Sequence, residues 1–186
     1  MRSSDRRWLP GRHRRCTQRF RCLPYRRCMT SRLFSPATPI TRGQLATALA
    51  STLQLKQTAS PAQAFSDVPA GTLLATSIRS AVTANLITPV SATAFNPGDP
   101  VSRQDLAVAL TRGFGLTSPA PPTVSDAQRI VSTVTSSVAA ILAKGYLSAF
   151  PDNTFRPAAS VTREEAARAI YMAFYDHAQE AAQKTQ

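Results

Sequence analysis

Apolar residues return every fourth position in three stretches of the chain, and each stretch opens on the same polar signal. ITRGQLATAL (40–49), VSRQDLAVAL (101–110) and VTREEAARAI (161–170) each read apolar residue, Thr or Ser, then Arg, with Gln, Asp or Glu three positions after the hydroxyl. Leu45, Leu106 and Ala166 share one column, Leu49, Leu110 and Ile170 the next, and Leu53, Phe114 and Phe174 the third. Columns four apart place one apolar stripe on each of three helices. The hydroxyl with its partner three residues on predicts N-caps at Thr41, Ser102 and Thr162, with a capping box from Thr162 to Glu165. The arginines Arg42, Arg103 and Arg163 recur at nearly equal spacing, so the pattern is an internal repeat. Phe34, Phe95 and Phe155 fall in the same register, each followed two residues later by Pro36, Pro97 or Pro157.

A second helical period precedes the motif in the two later copies. Leu74, Ile78 and Val82 recur one repeat later as Val134, Val138 and Leu142. These segments are rich in Thr, Ser and Val, so propensity is lukewarm and the period decides for helix. TPVSATAFNPGDP (88–100) and SAFPDNTFRPAAS (148–160) are dense in Pro, Gly, Asp and Asn and read as irregular loops. Each full unit is therefore helix, loop, helix, and KQTASPAQA (56–64) and TSPAPPT (117–123) read as linkers. The expected class is all-α.

FSDVPAG (65–71), KGYLSAFPDNTFRPAASVTREEAARAI (144–170) and the three Thr/Ser-Arg motifs together resemble S-layer homology domains. The resemblance covers about residues 34–176: half of a first repeat at 34–57, then repeats at 65–117 and 124–176, with a tail at 177–186. It implies a pseudo-threefold helical bundle that anchors a protein at the cell surface to anionic secondary cell-wall polysaccharide, typically pyruvylated. The motif arginines would line grooves for the acidic substituents, and Gly145 would let a sugar approach the backbone. Such modules tether a cargo domain, and only YDHAQEAAQKTQ (175–186) follows the last motif. Repeat two departs from the family pattern, with Leu73, Asn85 and Pro89 near places where Trp, Gly and Gly are usual, so its groove is the one the resemblance supports least. With the first repeat truncated, the helix at 41–53 is expected to lack its partner. That end would then be the least stable, or would pack its stripe against the other two motif helices in a central bundle.

Charge is unevenly placed. Of the net +12, residues 1–34 contribute +10, while the rest of the chain carries eleven basic and nine acidic side chains. Residues 1–33 share nothing with the repeats and are expected to be disordered. Three readings of them stand open: a frameshift or misassigned start, an Arg-rich targeting peptide, and a sequence-indifferent grip on nucleic-acid phosphate. Cys16, Cys22 and Cys28 lack zinc spacing, and neither a metal nor any other cofactor is expected. No apolar run approaches the length of a transmembrane helix, so none is predicted.

A guanidinium at a helix N-terminus opposes the dipole. One reading is structural, with each arginine paired to an acid of a neighbouring element such as Asp67 or Asp126, as in a helical repeat scaffold that binds other proteins. The other is ligand binding: free helix N–H groups and a planar bidentate donor suit a sugar carboxylate. The candidate ligand-binding set is Arg42, Arg103, Arg163, Thr41, Ser102, Thr162 and Gly145. Tyr146 reads as core, Asp152 and Asn153 as turn residues, and Glu164 with Glu165 as a first-turn acidic pair rather than a dyad. The two histidines, His13 and His177, lie outside the motifs, and no nucleophile elbow, phosphate loop or zinc motif occurs, so no enzyme is expected.

Overall fold

The computed structural model describes residues 34–56, 65–118 and 120–184, within a compact unit that begins at Phe34. The Arg/Cys-rich segment 1–33 and most of the first linker lie outside the described residues. Among the described residues five helices carry the fold: α1 (Arg42–Thr52), α2 (Leu73–Thr83), α3 (Arg103–Phe114), α4 (Thr135–Ala143) and α5 (Arg163–Lys184). Within the same residues there is no strand, and the class is all-α.

The caps form as the hydroxyl positions require. Thr41, Ser102 and Thr162 accept the N3 amides of Gln44, Asp105 and Glu165, and Gln44 and Glu165 reach back to their cap amides. The three segments ahead of the motif helices join in a closed ring of backbone hydrogen bonds. Ile40 donates to Val161, Val161 to Val101 and Val101 to Ile40, at 2.9–3.0 Å. All three side chains are buried, so three copies of one apolar position form the centre of a threefold arrangement.

Pairing of helices crosses the units. α1 packs on α2 and α3 on α4, so each of the first two motif helices is covered by the first helix of the following unit. The helix at 41–53 is therefore not the one left without a partner. Among the described residues that place falls to α5. Ala46, Ala50 and Leu53, on α1 and at its end, match Ala107, Thr111 and Phe114 on α3, and all are buried or half-buried. Their counterparts on α5 are Ala167, Tyr171 and Phe174, and these are exposed, Tyr171 to 66% and Phe174 to 47%. Phe95 and Phe155 are fully buried, whereas Phe34 is half-exposed. Of the predicted stripe, the third column is half-buried at Leu53 and buried at Phe114 but exposed at Phe174.

Left-handed residues repeat with the units. Ser35, Asn96 and Arg156 take φ of 46°, 56° and 55° at one register, and Asn85 (φ 56°) matches Gly145 (φ 70°) at another. Asn is the side chain that best tolerates this region, which explains how repeat two does without glycine there. Gly115 ends α3 in the same conformation (φ 64°). The residue in that place on α5 is Tyr175, and the helix continues to Lys184 through the stretch expected to be a tail.

Each full loop is pinned by one aspartate. Asp67 accepts the amides of Phe95 and Asn96, and Asp126 those of Phe155 and Arg156, both at 2.7 Å. Neither is in ion-pair contact with a motif arginine, so the proposed clamp partners hold backbone instead. The Phe95 amide bond is the main cause that holds the Asp67 carboxyl below its ordinary value of 3.8. Burial pushes Asp126 upward, but its two amide bonds outweigh that and its carboxyl is also lowered. A depressed carboxylate contributes stability above its unfolded pKa and loses it as pH falls through the folded one. Denaturant midpoints should therefore drop below about pH 4. Asp126→Asn should be less stable at neutral pH and show a shallower acid limb; an unchanged slope would remove Asp126 from the account.

Candidate functional site

The helix tips are not open. The first two amides of each motif helix donate to loop carbonyls of the next unit around the ring. Arg42 and Gly43 donate to Asp99 and Pro97, Arg103 and Gln104 to Ala159 and Pro157, and Arg163 and Glu164 to Thr38 and Pro36, at 2.8–3.1 Å. The third amide is taken by the cap hydroxyl. The free N–H groups expected to receive an anion are thus satisfied within the protein, because the loops approach closely enough to supply carbonyls.

The arginines continue the same connection. Arg42 donates from Nε to the Phe95 carbonyl at 2.9 Å and from Nη2 to the Thr88 carbonyl at 2.7 Å, with its guanidinium 4.7 Å from the Phe95 ring centre. Arg103 repeats this with Phe155 (2.7 Å) and Ser148 (2.7 Å), stacked against Phe155 and Phe150. It is only 2% exposed, and its Nη1 pairs with Glu165 at 2.9 Å. Burial pushes both guanidinium pKa values down, opposed by Asp105 for Arg42 and Glu165 for Arg103; both stay charged at neutral pH. Arg163 stands over the Phe34 ring at 5.4 Å and donates no side-chain hydrogen bond to any described residue.

Beside Arg42 and Arg103 lie two equivalent grooves. The first holds about 70 Å³ between Arg42, Leu86, Ile87, Thr88, Asp105 and Val108. The second holds about 290 Å³ between Arg103, Tyr146, Leu147, Ser148, Glu165 and Arg168, the same six positions one repeat on. The smaller groove is the one built on repeat two's loop. Thr162 and Glu164 also line the second. Gly145 stands next to its wall with open space where a Cβ would be, so its left-handed φ is what calls for glycine.

Tyr146 is core, as its pattern suggested, and donates to Asp176 at 2.8 Å; burial first, and then that bond, raise its pKa. Asp152 is a turn residue: bonds from the Thr154 hydroxyl and Arg156 bring its carboxyl down to about 2. The His177 ring packs on Phe114. Sequence reasoning missed Arg168; its signal was a column reading Thr47, Val108, Arg168 in which only the last is charged.

Residues 125–167 match the sequence profile of the S-layer homology domain. That stretch holds the Asp126-pinned loop, α4 and the Thr162–Arg163 tip. Residues 125–167 are an S-layer homology domain. S-layer homology domains are non-catalytic modules that attach proteins to cell-wall polysaccharide, and their place is the cell surface. No curated protein matches the chain. No helix among the described residues is long and apolar enough to cross a membrane. Among the described residues no group of His, Cys, Asp and Glu could hold a metal ion.

Proposed function

We propose that this chain anchors a protein to the cell wall by holding an anionic secondary polysaccharide, of the pyruvylated type, at the tips of α1, α3 and α5. The domains follow the repeat, with a half unit at 34–57 and full units at 65–117 and 124–176. Arg163 supplies positive charge, Arg42 and Arg103 hold the loops that wall their grooves, Thr41, Ser102 and Thr162 order each tip as caps, and Gly145 turns the chain into the third loop. One observation carries this reading: the charge at the third tip is uncompensated. Glu165, the third residue of its helix, neutralises Arg103. Asp105 occupies the same place in the groove of Arg42. Around the ring, the residue in that place for Arg163 is Gln44, which carries no charge and serves the Thr41 cap. A carboxylate from the glycan supplies there what the protein supplies at Arg103.

Sedimentation of the full chain with purified wall polysaccharide, before and after removal of its acidic ketals, tests the reading. Arg163→Ala should weaken pelleting by about 10- to 100-fold, the loss of one charge-assisted contact, with far-UV dichroism unchanged. Equal binding by wild type and variant would count against it. A second reading, a helical repeat scaffold whose arginines are internal clamps, is favoured by the Arg103–Glu165 pair, buried on its arginine side. In that case neither form of the polysaccharide pellets the protein.

A further inference from the structure

We propose that Arg168, and not Arg103, receives the carboxylate of an acidic sugar in the groove between α3 and α5, and so sets that groove's preference for acidic over neutral glycans. The proposal rests on the anchoring reading and names a residue outside the repeated motif.

Arg103 forms the floor of this groove but has little left to offer. Its Nε, Nη1 and Nη2 are engaged by the Phe155 carbonyl, Glu165 and the Ser148 carbonyl, and Phe150 and Phe155 cover its faces. Its charge is met at 2.9 Å by Glu165, and an incoming anion there would compete with a bonded carboxylate. Glu165 is committed in turn, accepting from Arg103 and from the Thr162 amide and hydroxyl.

Arg168 lines the same cavity, is exposed, and joins no hydrogen bond or ion pair with any described residue. It lies one turn along α5 from Glu164 and Glu165. In the sister groove the corresponding wall residue is Val108, so of the two grooves this one alone has a second cation. Its planar fork offers two parallel donors, the geometry that suits a carboxylate. Glu164, the groove's other uncommitted charge, is an acceptor for sugar hydroxyls and repels a carboxylate placed beside it. The cavity of about 290 Å³ lies at the low end for ligand pockets and accommodates a single sugar unit rather than an extended chain.

The test titrates the full chain with a methyl glycoside bearing a 4,6-pyruvate ketal and with its methyl ester, following amide shifts of Ser148, Thr162 and Glu164 by NMR. Wild type should prefer the acid. Arg168→Gln should lose about tenfold in affinity for the acid and none for the ester, the signature of one charged contact at a solvent-open site. Arg168→Lys should fall between, keeping charge without the fork. Glu164→Gln should tighten the acid relative to the ester. An acid-to-ester ratio that Arg168→Gln does not alter would overturn the assignment while leaving wall anchoring intact. Wild type that binds neither probe at this groove, yet pellets with the polysaccharide, would likewise overturn it alone. Failure to bind either probe or the polysaccharide would sink both.

Discussion

Arg103→Ala is expected to cost about 3–5 kcal/mol of folding stability, the range for breaking one side of a buried ion pair. The guanidinium lies 4.9 and 4.8 Å from the ring centres of Phe150 and Phe155 and links three elements: α3, the loop from Ser148 to Phe155, and the first turn of α5. Removing it leaves two carbonyls short of a donor, at about 1–3 kcal/mol for each that stays buried, and opens a void between the rings. Glu165 is 37% exposed and can recover some hydration, which keeps the loss from being larger. Arg103→Lys should recover part of it, since charge returns but the fork that reaches two carbonyls does not. Urea unfolding of the full chain measures the difference. A midpoint shift worth under about 0.5 kcal/mol, the usual size of a surface substitution, would mean that the clamp does not hold the loop. Any fall in glycan binding by this variant must accordingly be read beside its unfolding, whereas Arg163 and Arg168 report on binding without that complication.

Phe155→Ala should cost about 3–5 kcal/mol, and Phe34→Ala less than about 1 kcal/mol, although repeat register makes the two residues equivalent. Phe155 is fully buried, lies against Arg103, and has its own amide held by Asp126. Phe34 is 52% exposed and meets Arg163 on one face. The two single variants, unfolded side by side in urea, give the comparison directly. Similar losses would show that the segment ahead of α1 is as firmly packed as the loop ahead of α5, against the burial pattern. The same logic separates Thr111, buried and bonded to Ser137 on α4, from Tyr171, its exposed counterpart on α5.

Much of the local structure was legible because it depends on short-range chemistry. A hydroxyl at the cap with Gln, Asp or Glu three residues later identified all three motif helix starts, and a four-residue apolar period identified α2 and α4 despite their Thr and Ser. The turn roles of Asp152 and Asn153 were readable for the same reason. The role of Asp67 and Asp126 was not, because a carboxylate so distant in sequence from the amides it accepts leaves no local signal. Nor was Arg168 singled out, since one cation on a helix becomes informative only when the cavity beside it is known.

The helix-tip arginines mark the boundary between the two kinds of knowledge. Repetition alone established that three equivalent guanidinium groups begin three equivalent helices. A stripe, however, says which face of a helix is apolar and not which neighbour covers it. Closure of Ile40, Val101 and Val161 into a ring decided that each tip meets the loop of the following unit, which occupied the amides and turned Arg103 inward. The same closure gave α1 and α3 their covering helices and left Ala167, Tyr171 and Phe174 of α5 without one among the described residues. Sequence determined the units and their caps because those are properties of short consecutive runs. Tertiary structure decided which arginine is spent on the fold and which charge remains available, because compensation depends on distances between residues a whole repeat apart.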